Sequence, residues 1–170
     1  ESVPIIESII QLKAHKLNDK IGAIQEYLQA GNSIPITFSD GRFTIFHLVE
    51  SINYISTELR EEDKRYLDLV LDEITETPKD CLDPITGFTP LLLAYNKRLK
   101  GFIPYLESKG WKIQTKMPTD IGAELILKSL PISIHYRDTY SVDTILNFVP
   151  ENQLKQQEQL LFSKLLKGGT

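Results

Sequence analysis

Three histidines, one cysteine and a scatter of carboxylates are the residues from which this chain would have to build acid–base, nucleophilic or metal chemistry. His47 and Glu50 stand three positions apart in His47-Leu48-Val49-Glu50, a spacing that puts both on one face of a helix. A metal centre needs a third ligand, and no second histidine completes the set. His15, near Lys13 and Lys16, reads as a solvated side chain on a polar helix face, and His135 lies in Ile132-Ser133-Ile134-His135-Tyr136 ahead of Asp138. Cys81 is the only cysteine, which excludes an internal disulfide and a multi-cysteine zinc site. It is flanked by Asp80 and Asp83, whereas a reactive thiolate needs electropositive surroundings. Ser141 and Asp143 read as first-turn capping residues rather than catalytic ones. No glycine-rich phosphate loop or H-E-x-x-H pattern occurs. A stand-alone enzyme would have to draw on His135, Asp138 and Cys81, which no motif marks out. The expectation is therefore a non-enzyme with no catalytic, cofactor or metal site.

The 170 residues suffice for one domain with a substantial core. Lys plus Arg number 19 against 23 Asp plus Glu, a net charge of −4, which argues against a dedicated nucleic-acid binder. An apolar fraction of 41% lies above that of a disordered segment. No apolar run approaches the roughly 20 residues of a membrane helix, so no membrane insertion is expected. The chain begins at Glu1 without a signal peptide, from which a fragment of a longer cytoplasmic protein is expected.

Helical periodicity dominates the elements that would position these residues. Ile5, Ile6, Ile9, Ile10 and Leu12 form an apolar stripe behind Pro4. A second helix is predicted from Asn18 or Asp19, with Ile21, Ile24, Tyr27 and Leu28 on one face and a stop at Gly31. Pro35, Ser39, Asp40 and Gly41 mark a turn, and Ile34–Phe38 an extended arm. Further helices are predicted over 43–57 and within 58–75, where the charge run 60–65 supplies a Glu61–Arg65 pair. Two prolines and a glycine keep 77–87 out of helix. Two short helices flank Lys100-Gly101, the second ending at Gly110, and Pro104 should kink it unless it is short. Asp120 is expected to cap a helix ending near Leu130-Pro131, and Ser141 a helix with Val142, Ile145, Leu146 and Val149 inward. A longer helix is predicted over 151–166, with Leu154, Leu161, Phe162 and Leu165 facing inward.

The segment Gly87-Phe88-Thr89-Pro90-Leu91-Leu92-Leu93-Ala94 resembles the ankyrin-repeat signature G-x-T-P-L-H-x-A, with Leu92 in place of its histidine. Residues 102–113 are similar to that family's second helix, its closing glycine and the apolar residue beyond. Asp40-Gly41-Arg42-Phe43-Thr44-Ile45-Phe46-His47 resembles the same opening with one extra residue after Gly41, and 23–34 resembles another second helix. Thr44 and Thr89 are 45 residues apart, against a family repeat of about 33. Such irregularity looks like the divergent arrays of bacterial effector proteins.

The resemblance implies an all-α, ankyrin-like helical repeat solenoid of short antiparallel helix pairs with a terminal capping helix. It would be one domain over 1–170, its clearest repeats at 20–113 and a degenerate repeat and cap at 114–167. It implies a protein–protein interaction module, monomeric as an isolated domain, that grips a folded protein partner through loop tips and a concave helix face. The alternative is a substrate-recruiting accessory domain of a larger enzyme, such as an effector acting in the host-cell cytoplasm. Matching variable positions are Ser39, Asp40, Arg42 and Ser51 in one unit and Ile85, Thr86, Phe88 and Asn96 in the next. Asp83 joins them as a loop-tip carboxylate, and Trp111 as a large aromatic just after a helix-ending glycine, where it either anchors a partner or folds back on its helix. In the family, the imidazole at the place of His47 braces the loop by hydrogen bonds to backbone.

Overall fold

The structure, a computed structural model, describes residues 4–12, 17–52 and 59–155. Its regular elements are helical: α1 (Ile5–Gln11), α2 (Leu17–Gln29), α3 (Thr44–Glu50), α4 (Glu61–Leu71), α5 (Pro90–Asn96), α6 (Phe102–Ser108), α7 (Asp120–His135) and α8 (Thr139–Ile145). A 3-10 turn at Leu146–Phe148 follows, and residues 151–155 open another helix. Among the described residues the only β pairing is an isolated antiparallel bridge between Thr37 and Phe43. His15, the stretch 53–57 of one predicted helix and Leu161, Phe162 and Leu165 of another lie outside the described residues.

Five of these helices span only seven residues each. Isolated helices shorter than about 12–15 residues are marginal in water, so tertiary packing must hold them. They lie in two rows, α1 against α3 against α5 and α2 against α4, with α1 also on α2 and α5 on α6. At the far end α7 pairs with α8, and both touch α5. One apolar core runs through the stack, with Phe46, Phe88 and Phe102 its largest fully buried side chains.

Most sequence expectations survive at the level of elements, with shifts at the ends. Ile6 and Ile10 are buried, but Ile5 and Leu12 point to solvent. The α3 helix stops at Glu50, with Ser51 as its C-cap. In the charge run Glu61 faces Lys64 at 3.7 Å, while Asp63 is buried and accepts from the Arg60 amide at 2.9 Å. Pro104 falls in the first turn of α6, where its missing N–H has no helical partner to lose, so it is accommodated. Thr119, not Asp120, caps α7, and the helix runs through Pro131 to His135. Asp138 rather than Ser141 caps α8; its carboxylate accepts from the Ser141 amide at 3.2 Å.

The stop after α6 shows how one residue type fixes a boundary. Gly110 takes φ of 93°, its N–H donates to the Glu107 carbonyl at 3.0 Å, and the Trp111 N–H donates to Leu106 at 3.1 Å. This paired ending folds the indole back over the helix, where it is buried beneath Lys79 with Nζ 4.1 Å from the ring centroid.

Two further residues tie elements together. Lys20 in α2 is buried and donates to the Ile10 and Leu12 carbonyls, at 2.7 and 2.8 Å, satisfying the end of α1. Burial lowers its pKa to about 8. Gly122, in the first turn of α7, faces the Thr86 carbonyl so closely that a Cβ would lie 2.0 Å from that oxygen.

Gly122→Ala should therefore destabilise the fold by about 1–3 kcal/mol, because backbone has to move. Gly22→Ala, inside α2 with nothing within 4 Å of the added carbon, should stabilise it by up to about 1 kcal/mol. Thermal melts of the two variants check the opposite signs. For Lys20 the unfolded chain binds the extra proton between the folded value, about 8, and the ordinary 10.5, so stability should rise with pH across that window. Urea midpoints between pH 8 and 10 should climb in the wild type, and Lys20→Met should lose that part of the slope.

Candidate functional site

Two turn-forming segments make the edge on which most of the sequence-selected residues meet. In the first, the Phe38 N–H donates to the Arg42 carbonyl at 2.9 Å and the Gly41 N–H to Phe38 at 3.0 Å, so the chain reverses within five residues. The Asp40 carboxylate accepts from the Arg42 amide at 2.9 Å, the local bond that suits aspartate to turns. In the second, the Asp83 N–H donates to Phe88 at 2.8 Å and the Gly87 N–H to Asp83 at 2.7 Å. The Asp83 side chain accepts from the Ile85 amide and the Thr86 hydroxyl, at 3.2 and 3.0 Å.

Arg42 joins the two loops. Its guanidinium takes Glu50 with two bonds at 2.9 and 3.0 Å and Asp83 with two more at 3.2 and 2.9 Å. The Arg42 and Asp83 side chains are 14% and 3% exposed, so this is a largely dry ion pair. Burial works against the cation, but hydrogen bonds and charge from Glu50 and Asp83 outweigh it and hold Arg42 firmly protonated. On the next loop Thr119 repeats the linkage without charge: its amide donates to Thr86 at 3.0 Å and its hydroxyl to Ile85 at 2.7 Å. Gln114, buried, accepts from the Thr89 amide at 2.7 Å and donates to the Gly87 carbonyl at 2.5 Å.

His47 braces the first loop, by partners other than those expected. Its ring stacks on Phe38 with centroids 4.5 Å apart, and its Nδ1 lies 3.3 Å from Gln11 Nε2. Nε2 is 2.8 Å from an Asp40 carboxylate oxygen. Side chains, not backbone, hold this imidazole. Burial opposes the Asp40 charge, while the Arg42 amide and the His47 charge outweigh it and keep that carboxyl below its usual range.

Of the sequence-selected residues, Ser39, Asp40 and Ile85 are exposed on this edge. Ser39 is tethered through its amide and hydroxyl to Glu7, at 2.9 and 2.7 Å. Arg42, Asp83 and Thr86 lie on the same edge, but their side chains serve the network just described. Ser51 is buried at the end of α3 and donates to the Leu48 carbonyl at 2.7 Å. Phe88 is fully buried and belongs to the core, and Trp111 is buried against α6, so neither ring stands out as a surface anchor. Asn96, on α5, accepts from the Ser129 hydroxyl at 2.6 Å. The structure adds Glu7, Gln11 and Glu50 to the network. Only Glu50 carried a sequence signal, its spacing from His47, which serves a loop brace rather than a metal.

The residues nominated for a stand-alone enzyme have separate occupations. Cys81 is buried, and burial followed by the Asp80 charge pushes its thiol up to about 12. His135 is exposed beside Tyr136, its ring edge-on at 5.0 Å, and Asp138 caps α8. Among the described residues no group of three His, Cys, Asp or Glu side chains is arranged to hold a metal ion, and no helix is long and apolar enough to cross a membrane. No family model matches the chain, and comparison with curated proteins and with solved structures returns no match.

Removing the Arg42 charge leaves Asp83 buried without its cation, so Arg42→Met should cost about 3–5 kcal/mol in urea unfolding. Arg42→Lys should recover only part of this, because an ammonium lacks the fork that takes two carboxylates at once. Glu50→Gln should cost less than Arg42→Met, since the Glu50 side chain is 41% exposed.

Proposed function

We propose that this chain is a non-catalytic protein-interaction module of the ankyrin-like type, which recognises a folded protein partner through its loop edge; the α3 and α5 helices are buried along nearly their whole length and offer no helix face for the purpose. The observation that carries the reading is the Arg42 bridge, which fastens two successive loop tips into one edge. An ankyrin-like stacking is supported by the two helix rows, the glycine stops after α2 and α6 and the loop-to-loop bonds through Arg42 and Thr119. Carboxylates and imidazole along the edge hold loops in place, a use that suits a rigid recognition surface better than turnover.

The exposed groups on this edge are Ser39, Asp40, Asp80, Leu82 and Ile85, of which Ser39 and Asp40 also hold the first loop through Glu7 and the Arg42 amide. Acidic charge around two apolar side chains suits a basic or mixed-charge partner surface with a small apolar centre. Asp83, one of the loop-tip carboxylates, contributes by positioning Arg42 and the second turn instead of by contact.

Affinity capture with the 170-residue chain, compared with an Asp80→Arg/Ile85→Glu variant of unchanged melting temperature, tests the proposal. Proteins retained by the wild type should be lost on the variant and retained by Lys128→Ala, a control on α7. Equal retention by the wild type and the loop-tip variant would remove this edge from recognition.

A further inference from the structure

The outer face of α7 carries a stripe that the loop edge does not use. Ile121, Leu125, Ile132 and Tyr136 are 53%, 37%, 44% and 65% exposed, and at 3.6 residues per turn they fall within about 60° of arc. Lone exposed apolar residues are ordinary, but three in register on one helix, extended by Tyr136 at its C-cap, form a seam. Lys128 interrupts it, completing steps of four, three and four residues from Ile121 to Ile132, the spacing of a helix–helix seam. Its Nζ lies 3.5 Å from Glu124 Oε1, on one flank.

The stripe is symmetric about its own middle. Ile121 and Leu125 are four residues apart, as are Ile132 and Tyr136, and both the Ile121–Tyr136 and Leu125–Ile132 pairs centre between Lys128 and Ser129. A second α7 laid antiparallel about a two-fold axis at that centre sets Ile121 against Tyr136 and Leu125 against Ile132, both pairs twice over. The same operation sets the Lys128 of each copy beside the axis, where its own Glu124, 3.5 Å away, offsets the meeting of like charges. We propose that α7 is a self-association face, pairing two copies of this chain antiparallel through this stripe.

The area sets the strength. A 16-residue helix is about 24 Å long and about 10 Å wide, so its footprint is a few hundred Å², below the roughly 800 Å² per partner of a stable complex. The dimer is therefore weak and concentration-dependent. It also departs from the monomer that the sequence suggested.

Sedimentation velocity of the 170-residue chain from low micromolar to near-millimolar concentration tests this. The wild-type mass should climb from monomer toward dimer, and Ile121→Glu/Ile132→Glu, with an unchanged melting curve, should weaken association at least tenfold. Mild oxidation of Lys128→Cys should give a disulfide dimer far faster than Glu124→Cys, because only position 128 lies beside the axis; the buried Cys81 leaves the wild type as a blank. A wild type that stays monomeric throughout would overturn the proposal. A dimer that survives the double glutamate variant, or equal cross-linking at positions 124 and 128, would overturn it too.

Discussion

A helix of seven residues makes too few internal hydrogen bonds to repay the ordering of its first turn, and five of the helices here are that short. Everything else in the molecule answers to this constraint. The apolar faces of α1, α3 and α5 are covered by one another, those of α2 and α4 likewise, and no helix has a core of its own. Loops between such helices cannot be slack, because an error at one helix leaves the next without its partner. The polar ties concentrate there: Ser39 to Glu7, Arg42 to Asp83, Thr119 to Thr86 and Gln114 to Gly87.

Those ties differ in electrical character, and the difference has a physical reason. Arg42 spans two loops with a charge that burial would penalise, and it is tolerated because two carboxylates take all four of its hydrogen bonds. Between the second and third loops the backbones approach so closely at Gly122 that hydroxyl and amide bonds suffice. Lys20 solves a similar problem inside the helix rows, where the last carbonyls of α1 would otherwise face apolar surroundings.

The helical class, the glycine stops and the inward faces of α2, α4 and α8 were legible in the sequence because local periodicity and turn chemistry determine them. The folding back of Trp111 was legible as an alternative, since an apolar residue after a left-handed glycine has a helix end to cover. Cap identity at Thr119 and Asp138 was missed by one and three residues, because neighbouring polar side chains compete equally until tertiary contacts choose. The partners of Arg42 were not legible at all: Glu50 and Asp83 lie 8 and 41 residues away, and nothing in one chain's sequence pairs them. For that reason several residues chosen as contacts proved to be internal supports.

The linkage through Thr86 gives the loop edge the character of a splice rather than a fringe. Arg42 fixes Asp83, Asp83 holds the Thr86 hydroxyl, and the Thr86 carbonyl receives the amide at the head of α7. The first loop is thus joined by an unbroken run of side-chain and backbone bonds to the start of the longest described helix, so that parts of the chain nearly eighty residues apart (Arg42 and Thr119) are held as one piece.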